Sequence, residues 1–189
     1  MCGRFNLGFS QKGVQDIVEK LPKSDMNVQL RFGDIFPKNI APLFTAESDK
    51  PSLVRWGFNR FNGKGVIINA RSETVTDRQT FRKGFLERRC IIPVSGFYEW
   101  DENKNKKYFV SVNGNLLYLC GFTKHYDGEN RFIILTKQST PPVDDYHNRI
   151  AISNRYSYTA PFVVKRFLIQ KSIIKNLLIK KLTAVKLPL

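Results

Sequence analysis

The chain has 189 residues, 42% of them hydrophobic and 25% charged, with 15 Phe and 7 Tyr. That is enough apolar surface to offset the ordering entropy of a sizeable core, which excludes global disorder and a fibrous or repeat architecture and points to a single domain over residues 1–189. Lys and Arg number 31 against 16 Asp and Glu, and the net charge of +15 points to a polyanionic partner.

Val14, Ile17, Val18 and Leu21 recur at the spacing of one helix face and predict a short amphipathic helix closed by Pro22. Residues 34–42 are Pro-rich and read as extended, while the β-branched and aromatic runs 52–58 and 66–69 read as strands. Residues 77–86 predict a second helix, with Asp77 as its cap and Phe81 and Phe85 on one face. Short strands are then expected at 89–93, 97–100, 108–112, 116–122 and 131–136. Asn113-Gly114 and Asp127-Gly128 read as hairpin turns, because a primed turn needs positive φ at both central residues. Short adjacent connections favour antiparallel pairing. The expected fold class is therefore α+β, a meander or barrel-like antiparallel sheet with a few helices outside. From Ile150 onward there are eight Lys and Arg and no Asp or Glu, so the preceding residues carry a net +7. Within this tail, residues 164–182 suit a basic amphipathic helix docked on the domain, with membrane or nucleic-acid contact as the alternative.

No stretch approaches the roughly 20 apolar residues that span a bilayer, and the start lacks the pattern of a secretory signal. An intracellular, cytoplasmic monomer without a membrane partner is expected. The three cysteines, Cys2, Cys90 and Cys120, lack metal-ligand spacing and read as free thiols, so no metal or cofactor is expected. Cys90 and Cys120 sit in apolar runs that suit packing, and Cys2 does not.

Removal of Met1, favoured by the small second residue, would leave Cys2 with an α-amine of pKa roughly 7.7–8.0 beside a thiol of about 8.5. Such an aminothiol condenses with an aldehyde to a Schiff base, and the thiol closes a five-membered thiazolidine on the same carbon. An incidental, buried Cys2 is the alternative. Three further segments place polar groups at or beside predicted strands. Asn69, Arg71 and Glu73 end one of them, as turn chemistry or as a site. Glu99 stands between Tyr98 and Trp100, where burial would lift its pKa toward acid–base use and solvent exposure would not. His147 suits proton transfer near neutrality or simple exposure on a loop. Arg55-Trp56 joins a phosphate-binding side chain to a base-stacking ring, and Arg4, Arg71, Arg88 and Arg89 add charge.

These segments together resemble the SOS-response-associated peptidase (SRAP) family, which shields abasic sites in single-stranded DNA. The resemblance rests on Met-Cys-Gly-Arg-Phe at 1–5, Pro37 and Pro42, Arg-Trp-Gly at 55–57, Asn-Ala-Arg-Ser-Glu at 69–73, Arg-Arg-Cys-Ile-Ile-Pro at 88–93, Gly-Phe-Tyr-Glu-Trp at 96–100 and His147 before Arg149. It implies a barrel-like antiparallel fold crossed by a basic DNA channel. It also implies roles: Cys2 as the processed nucleophile, Asn69 holding the adduct, Glu99 positioning the amine and relaying protons, and His147 as acid or base in ring opening, crosslinking and reversal. Arg4 and Arg71 would grip flanking phosphates, while Pro37 and Trp56 would wedge or stack against bases; Arg55 and Ser72 are also expected to bind DNA. The family name implies self-removal of Met1 with Cys2 and Glu99 involved. Two segments depart from the family pattern: the loop before Asn69 is shorter, and Arg149 is followed by Ile150-Ala151-Ile152 in place of Met-Pro and an apolar strand. A thiol peptidase acting in trans and a non-covalent single-strand binding module are the alternative functions.

Overall fold

The computed structural model describes residues 2–11, 13–23, 30–126, 128–154 and 182–185. The chain opens with β1 (Arg4–Leu7) and α1 (Val14–Glu19), whose Val14 and Ile17 are buried as the helical spacing predicts. The Pro-rich stretch holds two strands, β2 (Gly33–Ile35) and β3 (Ile40–Thr45), joined by a turn in which Pro37 precedes Lys38 at φ 74 and Asn39 N–H donates to Phe36 O. Next come β4 (Ser48–Trp56), β5 (Phe58–Asn59), β6 (Val66–Ile67) and β7 (Asn69–Arg71). In α2 (Gln79–Glu87) the N-cap is Arg78, in extended backbone without a side-chain cap, so the expectation for Asp77 is corrected. The Asp77 carboxylate accepts instead from its neighbour Thr76, at 3.3 Å. Phe81 and Phe85 do share a face, and both meet the Phe122 ring edge-on, at 5.9 and 6.2 Å. The remainder is β8 (Arg89–Val94), β9 (Gly96–Trp100), β10 (Lys106–Ser111), β11 (Leu117–Tyr126), β12 (Glu129–Gln138), β13 (Arg149–Ala151), β14 (Ser153–Asn154) and β15 (Leu182–Val185).

Five of these strands close into a barrel: β12 pairs β4, β4 pairs β3, β3 pairs β8, β8 pairs β11, and β11 returns to β12. Closure leaves no edge in the ring for other chains to pair with. The closing pair β12–β4 is parallel, as is β12–β7, whereas short connections alone predict only antiparallel neighbours. All six residues of β8 are buried, so both faces of that strand are covered. Trp56 sits in the core with no exposed surface; its ring stacks parallel to Phe132 at 6.3 Å and tilts against Phe5 at 5.0 Å. Its indole N–H donates to Ile68 O at 3.1 Å. The following Gly57 has φ 108, and a Cβ there would lie 2.9 Å from the Val66 side chain, so Arg-Trp-Gly is a packing and turning device between β4 and β5.

A second, antiparallel sheet runs β15-β10-β9-β1-β2. Phe5 stands opposite Phe97 and Arg4 opposite Tyr98. Period-two alternation therefore sends Phe5, Leu7, Phe97, Glu99 and Phe109 to the buried face and Arg4, Asn6, Tyr98 and Tyr108 to the other. Asn113-Gly114 is a turn, with Gly114 N–H donating to Ser111 O, but not a hairpin: β10 stays in this sheet and β11 enters the barrel. The β11–β12 connection is a hairpin, paired out to Tyr126 and Glu129, with Gly128 at φ 90 and Asp127 outside the described residues. Of the tail helix expected over 164–182, only Leu182 is described, and it opens β15 beside β10; the rest lies outside the described residues.

Candidate functional site

Two structural units bring the first residues of the chain to a common point. β1 lies against β9, so the inward carboxylate of Glu99 flanks the start of the chain, one position beyond the Arg4–Tyr98 pair. From the barrel side, β7 pairs in parallel with β12 and holds Asn69 opposite Ile134. The Asn69 amide donates to Cys2 O at 2.9 Å, and its Oδ1 is buried without a hydrogen-bond partner among the described residues.

Cys2 is fully buried, where the sequence predicts an accessible group. Burial, then the nearby Glu99 charge, push its thiol well above the ordinary value. Met1 is part of this chain, so the nitrogen of Cys2 is an amide and no aminothiol exists before processing. Glu99 is also fully buried, and that burial lifts its carboxyl to about 7 against the pull of the amino-terminal charge. A carboxyl poised there exchanges protons near neutral pH.

His147 follows Val143, a buried anchor whose carbonyl accepts from His147 N–H at 2.8 Å. Burial, then the amino-terminal charge, lower its pKa, so the imidazole is neutral at physiological pH. The same charge acts on Glu99 and His147, and Glu99 acts on Cys2. His147 also lines a 560 Å³ cleft with Trp100, Asp101, Glu102, Asp144 and Asp145, an acidic wall where the sequence predicts a basic channel. A second cavity, of 440 Å³, lies by Glu47, Glu87 and His125; Arg88 and Arg89 line it too, but none of the expected catalytic residues does.

The residues expected to contact DNA are more scattered. Arg4 lies over the Phe36 and Trp100 rings at 4.5 and 5.3 Å and pairs with Asp34 at 3.6 Å. Asp34 is in turn held by Tyr98 OH at 2.8 Å and the Asn6 amide at 3.0 Å. Arg55 donates to Glu129 and to Lys38 O. Arg71 is exposed, and Ser72 N–H is tied to Thr136 O. Pro37 is half-buried at the first central position of its turn. Trp56 cannot stack on a base, because both ring faces are packed inside the protein; that expectation is corrected. Arg89 is no surface charge either: it is buried and donates to Phe85 O, capping the end of α2. Cys90 and Cys120 are buried packing residues, as expected.

The pairing of Glu73 with Arg149 and the place of Asp34 under Arg4 are not legible in the sequence alone. Glu73 lies within the Asn-Ala-Arg-Ser-Glu segment, which was the available signal; Asp34 had none. Among the described residues no cluster of His, Cys, Asp or Glu is arranged to hold a metal ion, and no helix is long and apolar enough to cross a membrane.

A barrel carrying a thiol, an amide and a raised carboxyl around its amino-terminal segment is consistent with the motif order read above. The model of the SOS response associated peptidase (SRAP) family matches residues 1–162, and this chain belongs to that family. Its relatives include the abasic site processing protein YoqW of Bacillus subtilis, 28% identical over 80% of this chain and 75% of its own length. The abasic site processing protein YMR114C of Saccharomyces cerevisiae is 26% identical over 62% of this chain and 35% of its own length. Crystal structures of proteins from Bordetella bronchiseptica and Bacteroides thetaiotaomicron share the fold. Their TM-scores are 0.75 and 0.77, at 20% and 18% identity, covering 98% and 97% of this chain and 100% and 90% of theirs.

Proposed function

We propose that this protein captures abasic sites in single-stranded DNA through Cys2 once Met1 has been removed, acting in the cytoplasm, on the nucleoid if its cell is bacterial. The Cys2 amine adds to the aldehyde of the ring-opened sugar and expels water, giving an imine. The thiol then adds across that C=N bond; sulfur bonds to the former aldehyde carbon and the thiol proton ends on nitrogen, closing the thiazolidine. Glu99 is the group suited to move these protons, because its carboxyl sits near neutrality beside a thiol that burial keeps protonated. Asn69 fixes the Cys2 main chain so that amine and thiol meet one carbon. His147 assists sugar ring opening and reversal, and Arg71, the exposed cation beside Asn69, meets the flanking phosphate.

The observation that carries this reading is the meeting of Asn69 and Glu99 at Cys2, an amide hydrogen-bonded to its main chain and a carboxyl whose charge raises its thiol. The names of the relatives, abasic site processing proteins, support the same substrate. Release of Met1 by Cys2 and Glu99 is part of the proposal. The test is to incubate Met1-free protein with a single-stranded oligonucleotide whose uracil has been excised. The expected product is a heat-stable band shift absent from Cys2→Ala. Equal, reversible affinity for intact and abasic strands with no stable band would reject covalent capture.

A further inference from the structure

Glu73 lies four residues past Asn69, just beyond β7, and Arg149 lies two residues past His147, at the start of β13. Both segments flank β12: Arg71 pairs with Thr136 on one side, Arg149 with Gln138 on the other. Across the end of β12 the two side chains meet as a fork, Arg149 Nη1 donating to Glu73 Oε1 at 2.9 Å and Nη2 to Oε2 at 3.0 Å. Nη2 also donates to Thr136 O at 2.9 Å, and Glu73 Oε1 accepts from Gln138 N–H at 3.1 Å. The Arg149 side chain is 15% exposed and that of Glu73 46%, so the pair is held by its two-point geometry and by the main-chain contacts of both partners.

What Arg149 does with its main chain gives the fork a purpose. His147 Nδ1 lies 2.9 Å from Arg149 N–H and 3.0 Å from Arg149 O. The N–H serves the ring when Nδ1 is an acceptor, and the carbonyl serves it when Nδ1 carries a proton. With the Nδ1 proton held on Arg149 O, the imidazole can change protonation state at Nε2 without losing its Nδ1 partner.

We propose that the Glu73–Arg149 fork is the positioning device for His147: it pins the residue whose main chain grips the imidazole and ties it to the strand segment bearing Asn69. Glu73 and Arg149 act through His147 and touch no reacting atom. The role of the fork in catalysis rests on the abasic-site reading; its grip on His147 does not.

Two readouts separate those claims. The first is the NMR titration of the His147 ring in the wild type and in Glu73→Gln, without DNA. Neutralising Glu73 leaves the Arg149 charge uncompensated, so the His147 midpoint should fall, while Asp101, Glu102, Asp144, Asp145, Lys107 and the amino terminus are common to both proteins. The second is the rate of adduct formation on an abasic strand. Glu73→Gln should slow it by about 10- to 100-fold, as misplacement of a proton-transfer group does, and Glu73→Asp should recover part of the rate. In a His147→Gln background the same change should add nothing. An unchanged His147 titration, or equal slowing with and without His147, would reduce the fork to a staple between sheet segments and overturn the proposal. Wild-type protein that forms no adduct would sink the capture reading and leave the titration to decide the fork.

Discussion

Replacing Glu99 with Gln keeps the shape of the side chain and removes its titration. In the folded chain burial holds this carboxyl at about 7 against an ordinary 4.5. The native state therefore binds the proton more tightly than the unfolded chain does. Stability from this group is fully present below 4.5 and is lost as pH rises through about 7. At about 1.4 kcal/mol per pH unit, ionised Glu99 weakens the fold by up to about 3 kcal/mol above pH 7. For a chain of this size that is a shift of about 6–12 °C in Tm. Thermal unfolding of both proteins, followed by circular dichroism from pH 4.5 to 8, should show Glu99→Gln gaining on the wild type by that amount as pH rises. Curves that stay parallel across the range would refute a buried carboxyl titrating near neutrality, and with it the proton-transfer role given to Glu99.

Trp56→Ala should destabilise the fold by about 3–5 kcal/mol in chemical denaturation, because it empties a filled core site; a loss of DNA affinity at unchanged stability would contradict its buried position. Asn69→Ala removes one hydrogen bond, so it should lower stability by only about 1 kcal/mol while slowing adduct formation at least about tenfold, measured by gel time course. Although burial pushes the Glu73 carboxyl up, hydrogen bonding to Arg149 brings it down to about 2. Its stabilising contribution is present above 4.5 and lost as pH falls from there toward 2, so Glu73→Gln should blunt acid unfolding in that window. Added salt should weaken the initial encounter with DNA through counterion release and leave a finished adduct intact.

Local pattern carried much of this fold. Val14 and Ile17 on one helix face, Phe81 and Phe85 on another, and the run of strands from Arg89 to Thr136 all follow from spacing that only one element type satisfies. Barrel closure was not legible, because it depends on β12 meeting β4 and β7 in parallel across long stretches of chain. The inward face of Trp56 was not legible either, because alternation along β4 says that Arg55 and Trp56 face opposite ways without saying which way is in. Asn113-Gly114 specified a turn but not which sheet the chain enters next. At the site, residue chemistry singled out Cys2, Asn69, Glu99 and His147, while the Glu73–Arg149 fork needed the register of β7 and β13 on β12 to come into view.

The most direct measurement is the intact mass of the reaction between processed protein and an abasic single strand under denaturing conditions. Thiazolidine formation predicts a species at the mass of the Met1-free chain plus the oligonucleotide, less one water, that resists borohydride because no imine remains. A species lost on Cys2→Ala in step with this would complete the case. Free protein alone, or a species that persists in Cys2→Ala, would contradict it.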